Sequence, residues 1–166
     1  INTAKATGRR LHLYGIVQDE SYYRSEVQPH IDGEGIVFHG TVGGRARVEA
    51  LGKAYALLHL INFDEPFGLS VIEAMACGTP VIAMRRGSMP ELIEHGTSGF
   101  LIGDASEAMA AVECAARLKR ADVRDTVLER FSVDRMADDY IALYNRILTS
   151  SSLSLDGPAV SCEATA

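Results

Sequence analysis

The amino-acid sequence predicts an α/β fold, in which a doubly wound parallel sheet carries helices on both faces. Five short apolar runs, bounded by glycine, proline and polar residues, alternate along the chain with longer stretches of helical period. The run from Leu57 to Phe63 is short enough for a buried strand, and a turn and a helical pattern follow it at once. Because strands separated by helices lie parallel in one sheet, this alternation indicates a doubly wound arrangement. The 166 residues, 47% of them hydrophobic, suffice for one core.

The first half of the chain is expected to supply three strands and two helices. In chain order we expect a polar stub (residues 1–8), a strand (10–15), a helix (19–31), a second strand (35–40), a Gly-rich turn that enters a helix (41–56) and a third strand (57–63). Leu11 and Leu13 are two residues apart and would share one face of the first strand. Acidic residues open the first helix, where they complement the helix dipole, and Pro29 interrupts it.

The second half is expected to contain two further strands and five helices. These are a helix (residues 69–77), a strand (80–84), a short helix (88–94), a strand (99–102) and three helices (106–119, 123–130 and from 133 onward). Ser88 and Glu91 have the spacing of a capping box, and Ser132 precedes apolar residues at helical spacing. Residues 149–166 have no period, so we expect a mobile tail after a domain at residues 1–148.

Two glutamates flank the start of the helix predicted at residues 69–77. Glu65 follows the third strand, at the sheet edge where open α/β sheets bind their ligands. Glu73 lies three residues after Ser70, so the two side chains share one face of an otherwise apolar helix. An unpaired carboxylate on a buried helix would be costly, so Glu73 needs a partner. A ligand with hydroxyl donors is one candidate partner, and an arginine of the protein is the other.

The backbone N–H groups from Phe67 to Ser70 should point out of the start of the same helix. A helix start of this kind attracts anions and polarised oxygens. Two carboxylates beside such donors suit a ligand that is both polyhydroxylated and anionic, and a nucleotide sugar is such a ligand. The alternative is that Glu65 is a solvated turn residue and that Glu73 pairs with an arginine.

The stretch from Glu65 to Ala83 reads E-P-F-G-L-S-V-I-E-A-M-A-C-G-T-P-V-I-A. It resembles the signature of the retaining sugar-nucleotide glycosyltransferases of the glycogen-synthase-like and mannosyltransferase-like family. The segments Arg85–Ile102 and Phe131–Tyr144 match the same family, and the resemblance covers roughly residues 10–148. It implies the GT-B architecture, in which two Rossmann-like domains face each other across a cleft. This chain would be the C-terminal, donor-binding domain.

The resemblance also implies roles for individual residues. Glu65 is the catalytic candidate, because it would bind hydroxyls of the donor sugar together with backbone N–H groups of the turn. Glu73 would accept hydrogen bonds from both ribose hydroxyls, and a second turn would lie along the nucleobase. The substrate-binding candidates are Phe67, Gly68, Leu69, Ser70, Glu73, Gly40, Thr41 and Val42. The implied reaction moves a hexosyl group from a UDP-, GDP- or ADP-sugar to an acceptor hydroxyl, with retention at the anomeric centre.

The turn at residues 40–44 has two other interpretations. Gly40-Thr41-Val42-Gly43-Gly44 lies between a strand and a helix, and Asp64 follows twenty residues beyond Gly44, which is partly similar to a dinucleotide-binding fingerprint. The spacing is G-x-x-G-G rather than G-x-G-x-x-G, so an ordinary βα turn competes with a nicotinamide or flavin site. We predict no resident cofactor and no metal, because the histidines and acids show no metal-ligand spacing.

Three residues near the same sheet edge have open interpretations. His59 could face the donor sugar or be a satisfied core residue. Arg85 and Arg86 could meet phosphates or the acceptor, or be solvated loop residues.

Composition and charge exclude several classes of partner. The net charge of −6 argues against a broad nucleic-acid or anionic-membrane surface. The longest apolar run, Ala54 to Phe63, is far below the roughly 20 residues that span a bilayer, so we expect no transmembrane segment. Three cysteines without a C-x-x-C pair indicate reduced thiols and a cytoplasmic location.

We expect this chain to be part of a larger enzyme. By the resemblance, an N-terminal acceptor domain of comparable size precedes it, and the Arg and Lys that hold the diphosphate come from a segment absent here. The chain alone should therefore bind nucleotide weakly and catalyse nothing. A sugar-nucleotide epimerase of similar architecture is one alternative. A non-catalytic Rossmann-like interaction module, with Glu73 paired to a protein cation, is the other.

Overall fold

The computed structural model describes residues 1–151. The strands are β1 (Leu11–Leu13), β2 (Ile36–Phe38), β3 (Leu57–His59), β4 (Val81–Met84) and β5 (Gly99–Ile102). The α-helices are α1 (Asn2–Thr7), α2 (Glu20–Tyr22), α3 (Gly44–Lys53), α4 (Leu69–Ala76), α5 (Met89–Leu92), α6 (Ala108–Ala115), α7 (Arg120–Arg130) and α8 (Val133–Ser151). Helix α2 continues as a π-helical segment (Tyr23–Val27) and a 3-10 turn (Gln28–His30), and a second 3-10 turn (Ala105–Glu107) precedes α6.

The strands are parallel and alternate with helices, which confirms the predicted α/β class. They form two hydrogen-bonded sheets rather than one, with the orders β1-β2 and β3-β4-β5. In the larger sheet, Leu57 is opposite Val81 and Val81 is opposite Gly99. In the part of the chain that the structure describes, β1 and β3 each pair with a single neighbouring strand, so no backbone hydrogen bonds of a strand pair join the two sheets.

The main core surrounds β4, the middle strand of the larger sheet. Its first three residues are fully buried, as expected for a parallel strand covered on both faces. Helix α4 contributes Val71, Ala74 and Met75, all fully buried. Ile82 and Ile102 pack with the apolar side of α6. This packing sets the carboxyl ends of β3 and β4 beside the start of α4.

Some of the predicted bounds and the predicted capping box differ from the structure. Residues 1–8 are not a stub: they contain α1, which ends at Gly8 in the left-handed conformation and packs against α6. The third strand stops at His59 instead of Phe63, because the chain turns toward α4 from Leu60 onward. Helix α8 runs to Ser151, so residues 149–151 are helical rather than part of a tail. The rest of the predicted tail, residues 152–166, lies outside the described residues. Ser88 does not cap α5 through its side chain, so the capping-box prediction is also wrong.

Residues 1–129 form one compact unit, and the described residues from 130 to 151 belong to a second. In the second unit, Ser132 caps α8 as predicted, because its Oγ accepts a hydrogen bond from the Arg135 N–H at 3.3 Å. Among the described residues, no helix combines the length and the apolar composition needed to cross a lipid bilayer.

A buried threonine links three elements of the first unit. Thr79 is fully buried, and its hydroxyl donates to the Leu51 carbonyl at the end of α3 over 2.6 Å. The same oxygen accepts from Nη2 of Arg120 at 2.6 Å, at the start of α7. Arg120 also donates to the carbonyls of Gly52 and Ala54, at 2.7 and 2.9 Å. The carboxyl end of α3 is therefore fastened to the turn between α4 and β4.

Candidate functional site

The candidate site is centred on the acidic turn, residues 64–68, which joins β3 to α4 at the carboxyl edge of the larger sheet. The loop that follows β4 fastens this turn. The Ser88 N–H donates to the Glu65 carbonyl at 3.0 Å, and the Ser88 hydroxyl donates to the Phe67 carbonyl at 2.8 Å. The Ser88 hydroxyl thus bonds to the acidic turn instead of capping its own helix, which explains why the capping box does not form.

Two glycines allow this close approach. Gly87 has φ 54°, and a Cβ there would lie 2.6 Å from the Glu65 carbonyl oxygen and 2.7 Å from the Glu65 nitrogen. Gly68 has φ 94°, and a Cβ there would lie 2.7 Å from the Met89 methyl carbon. Gly87 therefore requires glycine for conformation and for space, because its neighbours are backbone atoms. At Gly68 the positive φ is the main reason for glycine, since the atom nearest to the added Cβ is the end of a flexible side chain. The backbone of Glu65 is held on a rigid support.

An ion pair joins the acidic turn to the loop that follows β4. Nε of Arg86 lies 2.9 Å from Oδ1 of Asp64, and the Arg86 side chain is 37% exposed. Arg86 is therefore not fully solvated, and its role toward a phosphate stays a prediction. Arg85 is exposed, and its backbone N–H donates to the Ile102 carbonyl at 2.7 Å.

The start of α4 offers backbone donors beside Glu65. The first bonds inside the helix run from the Val71 and Ile72 N–H groups to the Gly68 carbonyl, at 3.0 and 3.2 Å. The N–H groups of Leu69 and Ser70 precede that turn and so have no acceptor within the helix. Gly68 has no side chain that could cap them. The helix was predicted to be buried nearly all round, but Leu69 is 67% exposed at this end.

Glu73 meets an arginine in the structure. Nη2 of Arg47, on α3, lies 2.8 Å from Oε1 of Glu73, and the side chains are 48% and 32% exposed respectively. Of the two predicted partners, the arginine of the protein is therefore the one observed. The carboxylate is still open to solvent on part of its surface. Its role toward ribose hydroxyls stays a prediction.

His59 lies at the end of β3, where the charge of Glu65 affects its pKa. Burial lowers the pKa of His59, and the negative charge of Glu65 opposes that shift. Its Nε2 atom is buried and has no hydrogen-bond partner among residues 1–151. The interpretation as a satisfied core histidine is therefore wrong. A role facing the donor sugar stays a prediction.

The second predicted turn lies at the end of β2. Gly40 has φ 69°, and its carbonyl accepts from the Gly15 N–H at 2.9 Å, so it is tied to the end of β1. Thr41 is exposed and Val42 is half-buried. Helix α3 starts at Gly44 and carries Arg47 in its first turn, so it leads from this turn to Glu73. The two groups of predicted substrate-binding residues are thus connected through α3.

Sequence reasoning missed Arg47 and the bracing role of Ser88. A basic residue in the first turn of the helix before the signature was the available signal for Arg47, but its partner is 26 positions away. Within the described part of the chain, no group of three or more histidines, cysteines and acids is arranged to hold a metal ion. The absence of a metal and of a resident cofactor therefore stays a prediction.

Comparison with known proteins identifies the family. The family model described as Glycosyl transferases group 1 matches residues 2–118. N-acetyl-alpha-D-glucosaminyl L-malate synthase of Bacillus anthracis is 31% identical over 127 residues, which are 72% of this chain and 32% of that protein. The crystal structure of AviGT4, a glycosyltransferase involved in avilamycin A biosynthesis, has a TM-score of 0.76 at 27% identity. That likeness covers 89% of this chain and 46% of AviGT4.

A third protein shares the fold. Anabaena Alr3699/HepE, crystallised in complex with UDP-glucose, has a TM-score of 0.70 at 22% identity, over 87% of this chain and 44% of that one. The chain thus spans about a third of the length of the Bacillus relative and less than half of the two solved chains. The matched family model covers more than half of the present chain, including the whole acidic turn and α4. The chain therefore belongs to the group 1 glycosyl transferases.

Proposed function

We propose that this chain binds the nucleotide-sugar donor of a retaining glycosyltransferase and that Glu65 contacts the donor sugar. The observation that carries the proposal is the fastened acidic turn. Ser88 and Gly87 hold the Glu65 backbone, and the amides of Leu69 and Ser70 lie next to it without an acceptor in α4. Carboxylate acceptors and amide donors side by side suit a ligand that has both hydroxyls and an anionic group.

The relatives support this class of donor. The Bacillus relative is named as an N-acetyl-alpha-D-glucosaminyl L-malate synthase, and the HepE structure shows that a protein of this fold holds UDP-glucose. For this chain, a UDP-, GDP- or ADP-sugar is the proposed donor, and a hydroxyl of a saccharide, lipid or small molecule is the proposed acceptor. The retained anomeric configuration is part of the proposal.

The chemistry assigns a task to each part of the site. As the bond to the diphosphate breaks, positive charge develops at the anomeric carbon and negative charge develops on the leaving group. Glu65 would hold the sugar hydroxyls and thus the ring, and the free amides at the start of α4 would face developing negative charge. Fixed donors of this kind need no reorganisation during the reaction, which is why their support by the Arg85–Ser88 loop matters. Glu73 would bind the ribose.

The complete catalytic unit requires more than this chain. We propose that an acceptor-binding domain lies across a cleft from the acidic turn and that part of the diphosphate site comes from outside residues 1–166. The chain alone would then bind a nucleotide weakly and transfer no sugar. A cytoplasmic location fits the free thiols of Cys77 and Cys114, the cysteines among the described residues, and belongs to the same proposal.

One observation favours a second candidate, a non-catalytic module. Arg47 already neutralises Glu73, which is the arrangement expected if the domain were kept for interaction only. The two candidates differ in nucleotide binding. A module without catalytic function would bind none, whereas a donor domain would bind one base in preference to the others.

Calorimetric titration of the enzyme that contains this chain tests the proposal. UDP-glucose, GDP-mannose and ADP-glucose are compared on the wild type, Glu65→Ala, Glu73→Ala and the control Glu113→Ala, whose side chain is exposed on α6. We expect one donor to bind, Glu73→Ala to weaken it and Glu113→Ala to leave it unchanged. Absence of binding by all three donors to the wild type would refute the proposed function.

A further inference from the structure

We infer that Arg47 is a positioning residue, which holds the Glu73 carboxylate in place for the ribose hydroxyls of the donor nucleotide. The inference rests on the function proposed above. It assigns a role to an arginine that lies outside the acidic turn and on a different helix. It also explains the Arg47–Glu73 ion pair in a way that is compatible with ligand binding.

The geometry of the pair is that of a directed contact between two helices. The 2.8 Å separation of Arg47 Nη2 and Glu73 Oε1 is the length of a charge-assisted hydrogen bond. The other ion pairs of α3, which join Arg45 and Lys53 to Glu49, are local contacts one turn apart on the same helix. Arg47 alone among the cations of α3 with a described ion pair reaches the neighbouring helix α4.

The pair leaves acceptor capacity for a ligand. An ionised carboxylate has two oxygens and about four sites that accept hydrogen bonds. Arg47 contacts Oε1, and about a third of the Glu73 side-chain surface is exposed. Two hydroxyls on adjacent carbons could therefore donate to this carboxylate while the guanidinium keeps its position.

Helix α3 provides a rigid base for Arg47. The Arg47 N–H donates to the Gly43 carbonyl at 3.4 Å, directly after the turn proposed to lie along the nucleobase. The other end of α3 is fastened by Thr79, which donates to the Leu51 carbonyl, and by Arg120. Arg47 therefore connects the base-side turn, residues 40–42, to the Glu73 carboxylate, so that the two keep a fixed distance from each other. Loss of its guanidinium would free the Glu73 side chain to rotate.

A competing role predicts the opposite sign. If Arg47 occupied the position that the ribose needs, its removal would expose Glu73 and strengthen nucleotide binding. If Arg47 positions Glu73, its removal weakens binding of nucleotides that carry ribose hydroxyls and leaves other nucleotides unaffected. The direction of the change and its dependence on the hydroxyls therefore decide the matter.

The test uses the complete enzyme and two probes. The nucleoside diphosphate with the highest affinity among UDP, GDP and ADP is titrated by calorimetry beside its 2′,3′-dideoxy analogue. The variants are Arg47→Gln, Arg47→Lys and Arg45→Gln. Arg45 is the matched control, because it lies in the same turn of α3, pairs only with Glu49 among the described residues and has a 93% exposed side chain. Thermal unfolding of each variant shows that it is folded.

We expect Arg47→Gln to weaken the ribonucleotide about two- to fivefold, the range of a partly exposed ion pair, and to leave the dideoxy analogue unchanged. Arg47→Lys should recover part of the loss, and Arg45→Gln should match the wild type. In the Arg47→Gln/Glu73→Gln double variant, the loss should equal that of Glu73→Gln alone. An unchanged ratio of the two affinities in Arg47→Gln, or tighter ribonucleotide binding, would overturn the inference. Failure of the wild type to bind any of the three diphosphates would instead refute the proposed function.

Discussion

Substitution of Gly87 by alanine should destabilise the protein through the acidic turn. The added Cβ would lie 2.6 and 2.7 Å from two backbone atoms of Glu65, whereas unstrained contacts of this kind lie beyond about 3.4 Å. Because both neighbours are backbone atoms, no side-chain rotation relieves the overlap. The positive φ of 54° adds a conformational cost that glycine does not have.

The magnitude follows from these two terms. A non-glycine residue in the left-handed region costs about 1–2 kcal/mol, and forced overpacking costs about 1–3 kcal/mol more. We therefore expect Gly87→Ala to lower the free energy of unfolding by about 2–5 kcal/mol. The matched control is Gly96→Ala, because Gly96 also has a positive φ, 85°, but a Cβ there meets nothing within 4 Å. The control should lose only the conformational part, about 1–2 kcal/mol.

Urea unfolding followed by circular dichroism measures both losses. A larger loss in Gly87→Ala than in Gly96→Ala would show that the loop after β4 packs on the acidic turn. Donor affinity should fall in the same variant, because the Glu65 backbone has to move away from Gly87. Equal losses in the two variants would refute the packing described for the acidic turn, and with it the rigid support of Glu65.

Three further predictions concern the site and its support. Glu73→Ala should lower nucleotide-sugar affinity about 10- to 1000-fold in calorimetry, since each hydrogen bond to a charged acceptor contributes about 1.5–3 kcal/mol. Glu65→Ala should lower turnover more than affinity. Equal effects of the two variants on affinity and turnover would contradict the separate roles. Thr79→Val should cost about 1–3 kcal/mol in urea unfolding, because it removes both hydrogen bonds of a fully buried hydroxyl, the one to the Leu51 carbonyl and the one from Arg120. Thr126→Val, which loses only a bond to Asp122 within α7, should cost less. The lowered pKa of His59 means that the unfolded chain binds a proton more readily than the folded one, so stability is unaffected well above pH 6.5 and declines as the pH falls below it. His59→Phe should flatten that decline in thermal melts, and an unchanged slope would show that His59 does not cause it.

Local patterns in the sequence predicted much of the fold. The bounds of β5 agree with the prediction at both ends, and α4 ends one residue earlier than expected. These elements have strong local signals, namely an apolar run between glycines and a helix that ends at Gly78. Helix α1 was missed because a helix of six residues depends on packing, here against α6 with Ala4 buried, rather than on its own composition.

The candidate site was predictable in its position but not in its internal contacts. The acidic turn follows a strand in the sequence, so its location at the sheet edge could be deduced. The partner of Glu73 could not, because Arg47 lies on the preceding helix and the spacing of 26 residues carries no period. Ser88 was assigned to a capping box by local spacing, and the tertiary contact with Phe67 prevailed. Long-range contacts of this kind depend on how α3, α4 and the loop after β4 pack.

The most direct test of the donor site is an NMR titration of the ¹⁵N-labelled enzyme with UDP-glucose, GDP-mannose and ADP-glucose. The amides of Leu69 and Ser70 report on the start of α4, and those of Thr41 and Val42 report on the base-side turn. We expect one of the three donors to shift all four resonances, while Gly96, which lies in an open turn elsewhere, stays unchanged. If every donor left Leu69 and Ser70 unshifted at saturating concentration, the assignment of the acidic turn as the donor site would be contradicted.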